Sequence, residues 1–247
     1  HPPMRLLPHP ASLPAWIAAK SRSVRTLLGS LSILTAMLAV PVAHAQHDAS
    51  QGRSGPAPSL YFEQFSLEEG LAQHTVNALM QDSTGFLWVG TSAGLHRYDG
   101  HRFELFAPAP FDTTSLSSGY VKSLAPAGNG DVWVATHATG LNRLDPATGR
   151  AIHYRHNPQN PSSLASDRIR DILQTENDDV WVATADAGID RMKAGADRRF
   201  IHSRHDPNDP TTLSSDEIFA LCEGPEGNIW AGTANGVSRI DPATGQV

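Results

Sequence analysis

Trp88-Val89-Gly90-Thr91 recurs in three further copies along this chain of 247 residues. The further copies are Trp133-Val134-Ala135-Thr136, Trp181-Val182-Ala183-Thr184 and Trp230-Ala231-Gly232-Thr233. Each copy is followed by a glycine, an apolar residue and an arginine: Gly94, Leu95 and Arg97; Gly140, Leu141 and Arg143; Gly188, Ile189 and Arg191; Gly236, Val237 and Arg239. The tryptophans stand 45, 48 and 49 residues apart, and a repeat of about 40–50 residues is typical of propeller blades and of some helical arrays.

Strands rather than helices surround each tryptophan. Residues 86–90 and 131–135 are β-branched and aromatic runs between turn residues, without apolar recurrence at helical spacing. One strand precedes each of them across a turn rich in Gly, Asn and Asp, and two more follow. The predicted first strands are 75–80, 120–124, 168–173 and 217–222; the first repeat's third strand is 95–98; the fourth strands are 103–106, 152–154 and 200–202. Four antiparallel strands per repeat predict an all-β fold, a β-propeller, with blades near 74–107, 119–156, 167–205 and 216–247.

The residue two places after each tryptophan is small: Gly90, Ala135, Ala183 and Gly232. A strand between neighbouring blades has little room, so a larger side chain would push the blades apart. The threonine that follows, at 91, 136, 184 and 233, suits a strand.

These repeats resemble the two-component regulator propeller family, whose pattern is an Asp-x-x-Gly turn, a Trp-x-Gly-Thr strand and then Gly-Leu-x-Arg-x-Asp. The first repeat matches it from Asp82 and Gly85 through to Asp99, whereas the third has Lys193 in the last position. The resemblance covers about residues 58–247, and the propeller region is assigned to 59–247. Its structural signature is carried by Trp88, Gly90, Thr91, Gly94, Arg97, Trp133, Thr136, Gly140, Arg143, Trp181, Thr184, Gly188, Arg191, Trp230, Gly232, Thr233, Gly236 and Arg239.

The resemblance implies more blades than four, because the family builds propellers of seven. The four repeats are therefore expected to form an incomplete ring, with further blades beyond Val247. Such an open arc would expose faces around Val76, Leu79 and Trp88 in the first blade and around Ile218, Ile229 and Trp230 in the fourth. Residues 60–65 are expected to form a strand of the kind that closes such rings. One alternative is a closed ring of four blades, in which that strand completes the fourth sheet.

The first 45 residues have the order of a secretory signal peptide. Four basic residues lead into the apolar stretch 27–40, and the small residues Ala43 and Ala45 place a cleavage site before Gln46. The apolar stretch is shorter than the ~18–20 residues that a membrane span needs, which disfavours a membrane anchor. Residues 46–58, rich in Gly, Ser and Pro, predict a flexible leader. We therefore expect an exported, periplasmic chain whose full-length protein is anchored in the inner membrane.

Composition fits an exported globular domain. The chain has 25 acidic and 19 basic residues, a net charge of −6. Loss of residues 1–45 would remove four basic and no acidic residues, leaving a net charge of about −10. A nucleic-acid-binding surface would be basic, so no nucleic acid is expected as a partner. The one cysteine, Cys222, cannot form an internal disulfide, and its place on a predicted strand favours a buried, inert thiol.

A search for chemistry identifies no catalytic, cofactor-binding or metal-binding residue. The pairs His153/His156 and His202/His205 have a spacing that could suggest a metal, but residues three apart on a strand point to opposite faces. The turn from Asp82 to Trp88 is similar to the Asp-box of propeller sialidases, yet its spacing differs and no carboxylate pair stands out. The arginines at 97, 143, 191 and 239 could bind an anion as a ring, although their recurrence in every repeat favours structural bonds to turn carboxylates or carbonyls.

The resemblance implies a periplasmic sensor segment of a transmembrane signalling protein. In that family the output module is a histidine kinase or a diguanylate cyclase, which would lie beyond Val247. The implied partners are a small periplasmic ligand, with an oligosaccharide as the suggested class, the remaining blades and output domain of the same gene, and a second copy in a full-length homodimer. Two alternatives stay open: a free-standing binding module and, less favoured, a propeller glycosidase.

Overall fold

The computed structural model describes residues 62–196 and 198–247, and the predicted signal peptide, cleavage site and leader lie outside this part. The described residues contain these strands: β1 (Val76–Gln81), β2 (Leu87–Thr91), β3 (Leu95–Tyr98), β4 (Phe103–Phe106), β5 (Val121–Pro126), β6 (Val132–Thr136), β7 (Leu141–Asp145), β8 (Arg150–Tyr154), β9 (Ile169–Gln174), β10 (Val180–Thr184), β11 (Ile189–Met192), β12 (Phe200–Ser203), β13 (Ile218–Glu223), β14 (Ile229–Thr233) and β15 (Gly236–Ile240). One turn of 3₁₀ helix, Pro225–Gly227, lies between β13 and β14.

The strands form four separate antiparallel sheets in chain order. Blades 1, 2 and 3 contain β1–β4, β5–β8 and β9–β12, and blade 4 contains β13–β15. The predicted all-β propeller of about four blades, as part of an incomplete ring, is confirmed. The first strand of every blade begins one residue later than the sequence pattern indicates; β9, for example, begins at Ile169.

The blades follow one another in an open array. The first strands are neighbours, since β1 adjoins β5, β5 adjoins β9 and β9 adjoins β13. These four strands therefore line the axis of the array, and later strands of each blade lie further out. The alternative closed ring of four blades is not formed by the described residues, because Leu79 on β1 and Trp230 on β14 are exposed.

The hydrophobic core lies between blades. Trp88 packs with Val121 and Val132 of blade 2, Trp133 with Ile169 and Val180 of blade 3, and Trp181 with Ile218 and Ile229 of blade 4. The tryptophans of blades 1, 2 and 3 are thus covered by the first two strands of the next blade. Burial of such large side chains is what holds adjacent sheets together.

Gly90 shows why a small residue follows the tryptophan. A Cβ atom at this position would lie 2.6 Å from Cγ1 of Val121 on the neighbouring blade. At Gly232 of blade 4 the nearest atom to such a Cβ is the carbonyl oxygen of Ala220, at 4.0 Å. The closest contact at Gly90 therefore comes from the next blade, and Ala78 of the same sheet adds a weaker one at 3.3 Å.

The faces expected to be exposed are partly different from those observed. Val76 and Leu79 of blade 1 are exposed, as is Trp230 of blade 4. The expectation was wrong for Trp88, Ile218 and Ile229, which are buried. The reason is the direction of packing: the tryptophan faces the following blade, whereas the valine or isoleucine positions face the preceding blade.

Residues 60–65 do not provide the expected strand in the part that is described. Phe62 to Phe65 are not in a strand. The ring of Phe65 packs edge-on against Tyr98 and Phe103, with centroids 5.1 and 5.7 Å apart. This segment therefore covers part of blade 1 through side chains and not through a backbone ladder.

Cys222 is exposed, so the expectation of a buried thiol was wrong. It lies on β13 as predicted. Its equivalent in blade 2, Ala125, is buried against blade 3, whereas the corresponding face of blade 4 is open within the described residues.

Candidate functional site

The threonine and glycine of each repeat close the turn between its second and third strands. The threonine hydroxyl donates to the glycine carbonyl in all four blades, at 2.9, 2.7, 2.7 and 3.0 Å along the chain. The glycines have positive φ, from 75° at Gly188 to 151° at Gly94, a region that favours glycine. The recurrent Thr is therefore a turn-closing residue, which its preference for strands does not reveal.

In blades 1 to 3 the recurrent arginine covers the tryptophan of its own blade. The guanidinium carbon lies over the indole ring at 5.7 Å for Arg97, 5.7 Å for Arg143 and 4.7 Å for Arg191. Arg239 is exposed. A guanidinium placed on an aromatic face is held by cation–π attraction.

The residue immediately before each second strand determines which carboxylate the arginine of that blade pairs with. Asp131 accepts from Arg143 at 2.7 Å, and Asp179 accepts from Nε of Arg191 at 2.8 Å. Phe86 holds this place in blade 1, and Arg97 pairs with Glu104 on β4 instead, at 2.6 Å. Arg97, Arg143 and Arg191 are thus engaged within the propeller structure.

A buried polar side chain on each third strand holds the linker that precedes its blade. His96 Nε2 accepts from the backbone N–H of Ala72 at 2.9 Å. The equivalent bonds join Asn142 to Ser117, Asp190 to Ala165 and Ser238 to Ser214, at 3.0, 2.7 and 3.1 Å. Burial raises the pKa of Asp190, against the opposing effect of its hydrogen bonds from Ala165 and His202. Four different residue types perform one task, so no motif marks the position.

The histidine pairs also hold linkers. His153 Nε2 contacts the carbonyl of Ser115 at 2.7 Å, and His202 Nε2 contacts that of Pro161 at 2.8 Å. His156 and His205 each turn Nδ1 to a linker carbonyl, those of Leu164 and Leu213. The repeated spacing is explained by these backbone bonds.

Acid should weaken the linker bond of blade 1, because it needs an unprotonated His96 Nε2. Burial lowers the pKa of His96 from its ordinary 6.5, against the opposing effect of the nearby Val89 carbonyl. The unfolded chain therefore takes up a proton at a higher pH than the folded chain, so this contribution is complete above about pH 6.5 and falls as the pH falls toward the lowered pKa.

The matched variant is His96→Asn, which installs the residue that blade 2 has at this position. We expect urea unfolding to show a smaller stability loss between neutral pH and about pH 5 than for the wild type. An identical loss in both proteins would contradict this role for His96.

A cavity of about 320 Å³ opens at the axis beside blades 2, 3 and 4, at the end where the turns after the second strands lie. We call it the axial cavity. Its lining residues are Tyr120, Lys122, His137, Arg168, Ile169, Arg170, Ala185 and Phe219. Backbone bonds fix its walls, because His137 N donates to the Tyr120 carbonyl at 3.0 Å and Ala185 N to that of Arg168 at 2.8 Å.

Aromatic rings and charged groups alternate around the axial cavity. Tyr120 and His137 meet edge-to-face with centroids 4.9 Å apart, and Arg170 lies over Phe219 at 4.4 Å. Arg170 pairs with Glu217 at 2.7 Å and Arg168 with Asp186 at 3.0 Å. The combination of ring faces with fixed polar groups can bind a small polar ligand.

Sequence reasoning identified none of these residues. A signal was available: the second residue of the first strands is Asn77, Lys122, Arg170 and Phe219 in the four repeats, while the positions around the tryptophans stay nearly constant. Residues that face the axis are not fixed by packing between blades and can differ from blade to blade.

Two larger cavities are less suited to a ligand. One, of about 640 Å³, lies along β15, which has a strand partner on only one side among the described residues. The other, of about 510 Å³, lies between blades 2 and 3 at the far end, and its lining includes the carboxylate of Asp178, whereas the described lining of the axial cavity includes no carboxylate. We therefore take the axial cavity as the candidate site.

Among residues 62–196 and 198–247, no group of three or more His, Cys, Asp or Glu side chains is placed to hold a metal ion. A helix with the length and apolar character of a membrane span is not found in this part of the chain.

Comparison with known proteins confirms the predicted resemblance. The profile of the family described as two component regulator propeller matches residues 70–93 and 212–235, which lie in the first and fourth repeats. Over 56 residues, 23% of this chain and 4% of the relative, the chain is 45% identical to histidine kinase P4 of Formosa agariphila.

Solved structures share the fold. The extracellular domain of the hybrid two component system BT3049 from B. thetaiotaomicron superposes with a TM-score of 0.56 at 22% identity, over 75% of this chain and 31% of that one. PorZ, a surface component of the type-IX secretion system of Porphyromonas gingivalis, gives 0.52 at 16% identity, over 68% of this chain and 25% of that one. The chain thus spans less than a third of the length of each of these proteins.

Proposed function

We propose that this chain, which carries two-component regulator propeller repeats, is the ligand-binding part of an extracytoplasmic sensor. The observation that carries the proposal is the axial cavity, in which Lys122, Arg170 and Phe219, the divergent residues of three first strands, meet in one place. The recurrent Trp, Thr, Gly and Arg residues build the frame, and the divergent residues at the axis select the ligand. In folds that host many functions, the residues that maintain the fold are commonly distinct from those that form the binding site.

The ligand class we propose is an oligosaccharide. The ring of Tyr120 offers an apolar face on which a sugar ring can pack, and Lys122 and His137 bring hydrogen-bonding groups to the same cavity. A sugar ring carries hydroxyl groups around its edge and has less polar faces. A pocket that combines a few oriented polar groups with apolar surfaces suits such a ligand.

Signal output belongs to another part of the proposed full-length protein. We propose export to the periplasm through cleavage before Gln46, and coupling across the inner membrane to a histidine kinase, with a diguanylate cyclase as the other candidate output. The local identity with histidine kinase P4 supports the first of these. A homodimer of the full-length protein would bring two output domains together.

Binding by the full chain tests the proposal. In calorimetric titrations with oligosaccharides, we expect at least one probe to bind, and Tyr120→Ala to weaken that binding by about tenfold or more through the loss of a packed aromatic face. Protein released by osmotic shock should begin at Gln46. The control is His74→Ala, an exposed residue outside the cavity lining. Oligosaccharide binding that Tyr120→Ala leaves unchanged would contradict the assignment of the site.

A further inference from the structure

The axial cavity carries positive charge on a chain that is acidic as a whole. The net charge of the chain is −6, yet the ionisable side chains that line this cavity are Lys122, Arg168, Arg170, His137 and Tyr120. Among the described residues, no carboxylate is part of the lining. Concentration of one sign of charge in a concave site attracts ligands of the opposite sign.

Two carboxylates behind the lining neutralise only part of this charge. Asp186 pairs with Arg168 and Glu217 with Arg170. Lys122 has no salt-bridge partner among the described residues. The nearby Asp171 accepts hydrogen bonds from Ser123 Oγ at 2.8 Å and from Leu221 N at 2.9 Å, and so ties three first strands together. The cavity therefore keeps a positive group that the structure does not use.

The contacts of the Arg170 side chain orient its guanidinium group in a way that suits binding of an oxyanion. Its guanidinium rests on the Phe219 ring at 4.4 Å, and its bond to Glu217 uses Nη2 only. A guanidinium has five N–H donors in a planar fork that matches the paired oxygens of a carboxylate or sulfate. Because the ring and Glu217 already restrict its rotamers, less conformational entropy is lost when a ligand binds.

Blade structure does not require these cations. At the position of Lys122, blade 1 has Asn77, whose side-chain amide donates to the carbonyl of Val121 at 3.0 Å. Blade 4 has Phe219 there. Both strands form with a neutral residue at this place, so the charges of blades 2 and 3 are available to a ligand.

We infer that the axial cavity binds an anionic saccharide, whose carboxylate or sulfate group is held by Lys122 and Arg170 while Tyr120 packs against the sugar ring. This inference rests on the proposed function and narrows its ligand class. A neutral saccharide would leave the Lys122 ammonium group desolvated without a counter-charge, which costs free energy.

Calorimetric titration of the full chain with three probes tests the inference. The probes are trigalacturonic acid, which carries carboxylates, a sulfated carrageenan oligosaccharide, and neutral galactotriose. We expect at least one anionic probe to bind about tenfold or more tightly than the neutral one. Lys122→Asn, which copies the residue of blade 1, should weaken that binding by about tenfold or more, and Lys122→Arg should restore it.

The control is Lys193→Asn, which removes the same charge from an exposed lysine at the opposite end of blade 3. Equal weakening by Lys122→Asn and Lys193→Asn would show non-specific attraction and overturn the inference. If the protein bound galactotriose more tightly than both anionic probes, and Tyr120→Ala weakened that binding, the assignment of an anionic ligand would be overturned. The proposed function, binding of an oligosaccharide, would still stand. Failure of both anionic probes to bind would also overturn the assignment of an anionic ligand. Thermal unfolding of each variant, compared with Lys122→Arg, separates lost binding from lost fold.

Discussion

Trp181→Ala should lower the free energy of unfolding by about 3–5 kcal/mol. The Trp181 side chain is 2% exposed and packs against Ile218 and Ile229 of the next blade. Its removal leaves a cavity between two sheets that no backbone ladder joins, so the surroundings have little means to collapse into it. The same range is expected for Trp133, which is 3% exposed. Urea unfolding of the full chain, followed by circular dichroism, measures the loss.

Trp230→Ala is the matched control, because Trp230 holds the same place in blade 4 and is 42% exposed. Its replacement should cost roughly half as much or less, since about half of the indole is in water already. Similar losses for Trp181→Ala and Trp230→Ala would show that burial between blades is not the source of the effect.

Gly188→Ala should destabilise the protein by about 2–5 kcal/mol. A Cβ atom here would overlap the carbonyl oxygen of Ser203, which belongs to the neighbouring strand. The residue also has φ of 75°, which costs an L-residue about 1–2 kcal/mol, and the steric overlap adds about 1–3 kcal/mol. Thermal unfolding of the variant provides the measurement.

Gly236→Ala separates the cost of the positive φ angle from the cost of the steric overlap. Gly236 is the equivalent residue of blade 4, with φ of 97°, and a Cβ atom there would meet nothing within 4 Å. Only the conformational cost of about 1–2 kcal/mol should remain. If Gly236→Ala proved as damaging as Gly188→Ala, the clash with Ser203 would not be the cause.

The frame of the fold could be predicted because it depends on local chemistry. The existence of strands such as β9 and β10 is indicated by β-branched residues between turn formers, and those preferences act within a few residues. The direction in which each tryptophan packs could not be predicted in this way. The burial of Trp88 and Ile218 depends on which neighbour covers which face, a property of the assembled array.

The candidate site was missed for a related reason. Lys122, Arg170 and Phe219 come from three repeats and meet only because first strands adjoin at the axis. The linker-binding position was missed because His96, Asn142, Asp190 and Ser238 share no side-chain chemistry beyond a hydrogen-bonding group. What they share is that each side chain accepts a hydrogen bond from a backbone N–H group of the linker. Many residue types can accept such a bond.

The one-way packing of the tryptophans gives the array a direction of growth during synthesis. In blades 1 to 3 the neighbouring blade that covers the indole is the one that follows, as Ile218 and Ile229 cover Trp181. A chain that emerges amino terminus first can therefore complete each sheet as it appears, but the aromatic side of the newest blade stays open until the next one arrives. Exposed apolar surface of this kind invites non-native association. A pause in synthesis between two blades would thus leave one exposed apolar face, on the newest blade of the nascent protein. The position of this face shifts by one repeat each time a further blade is completed.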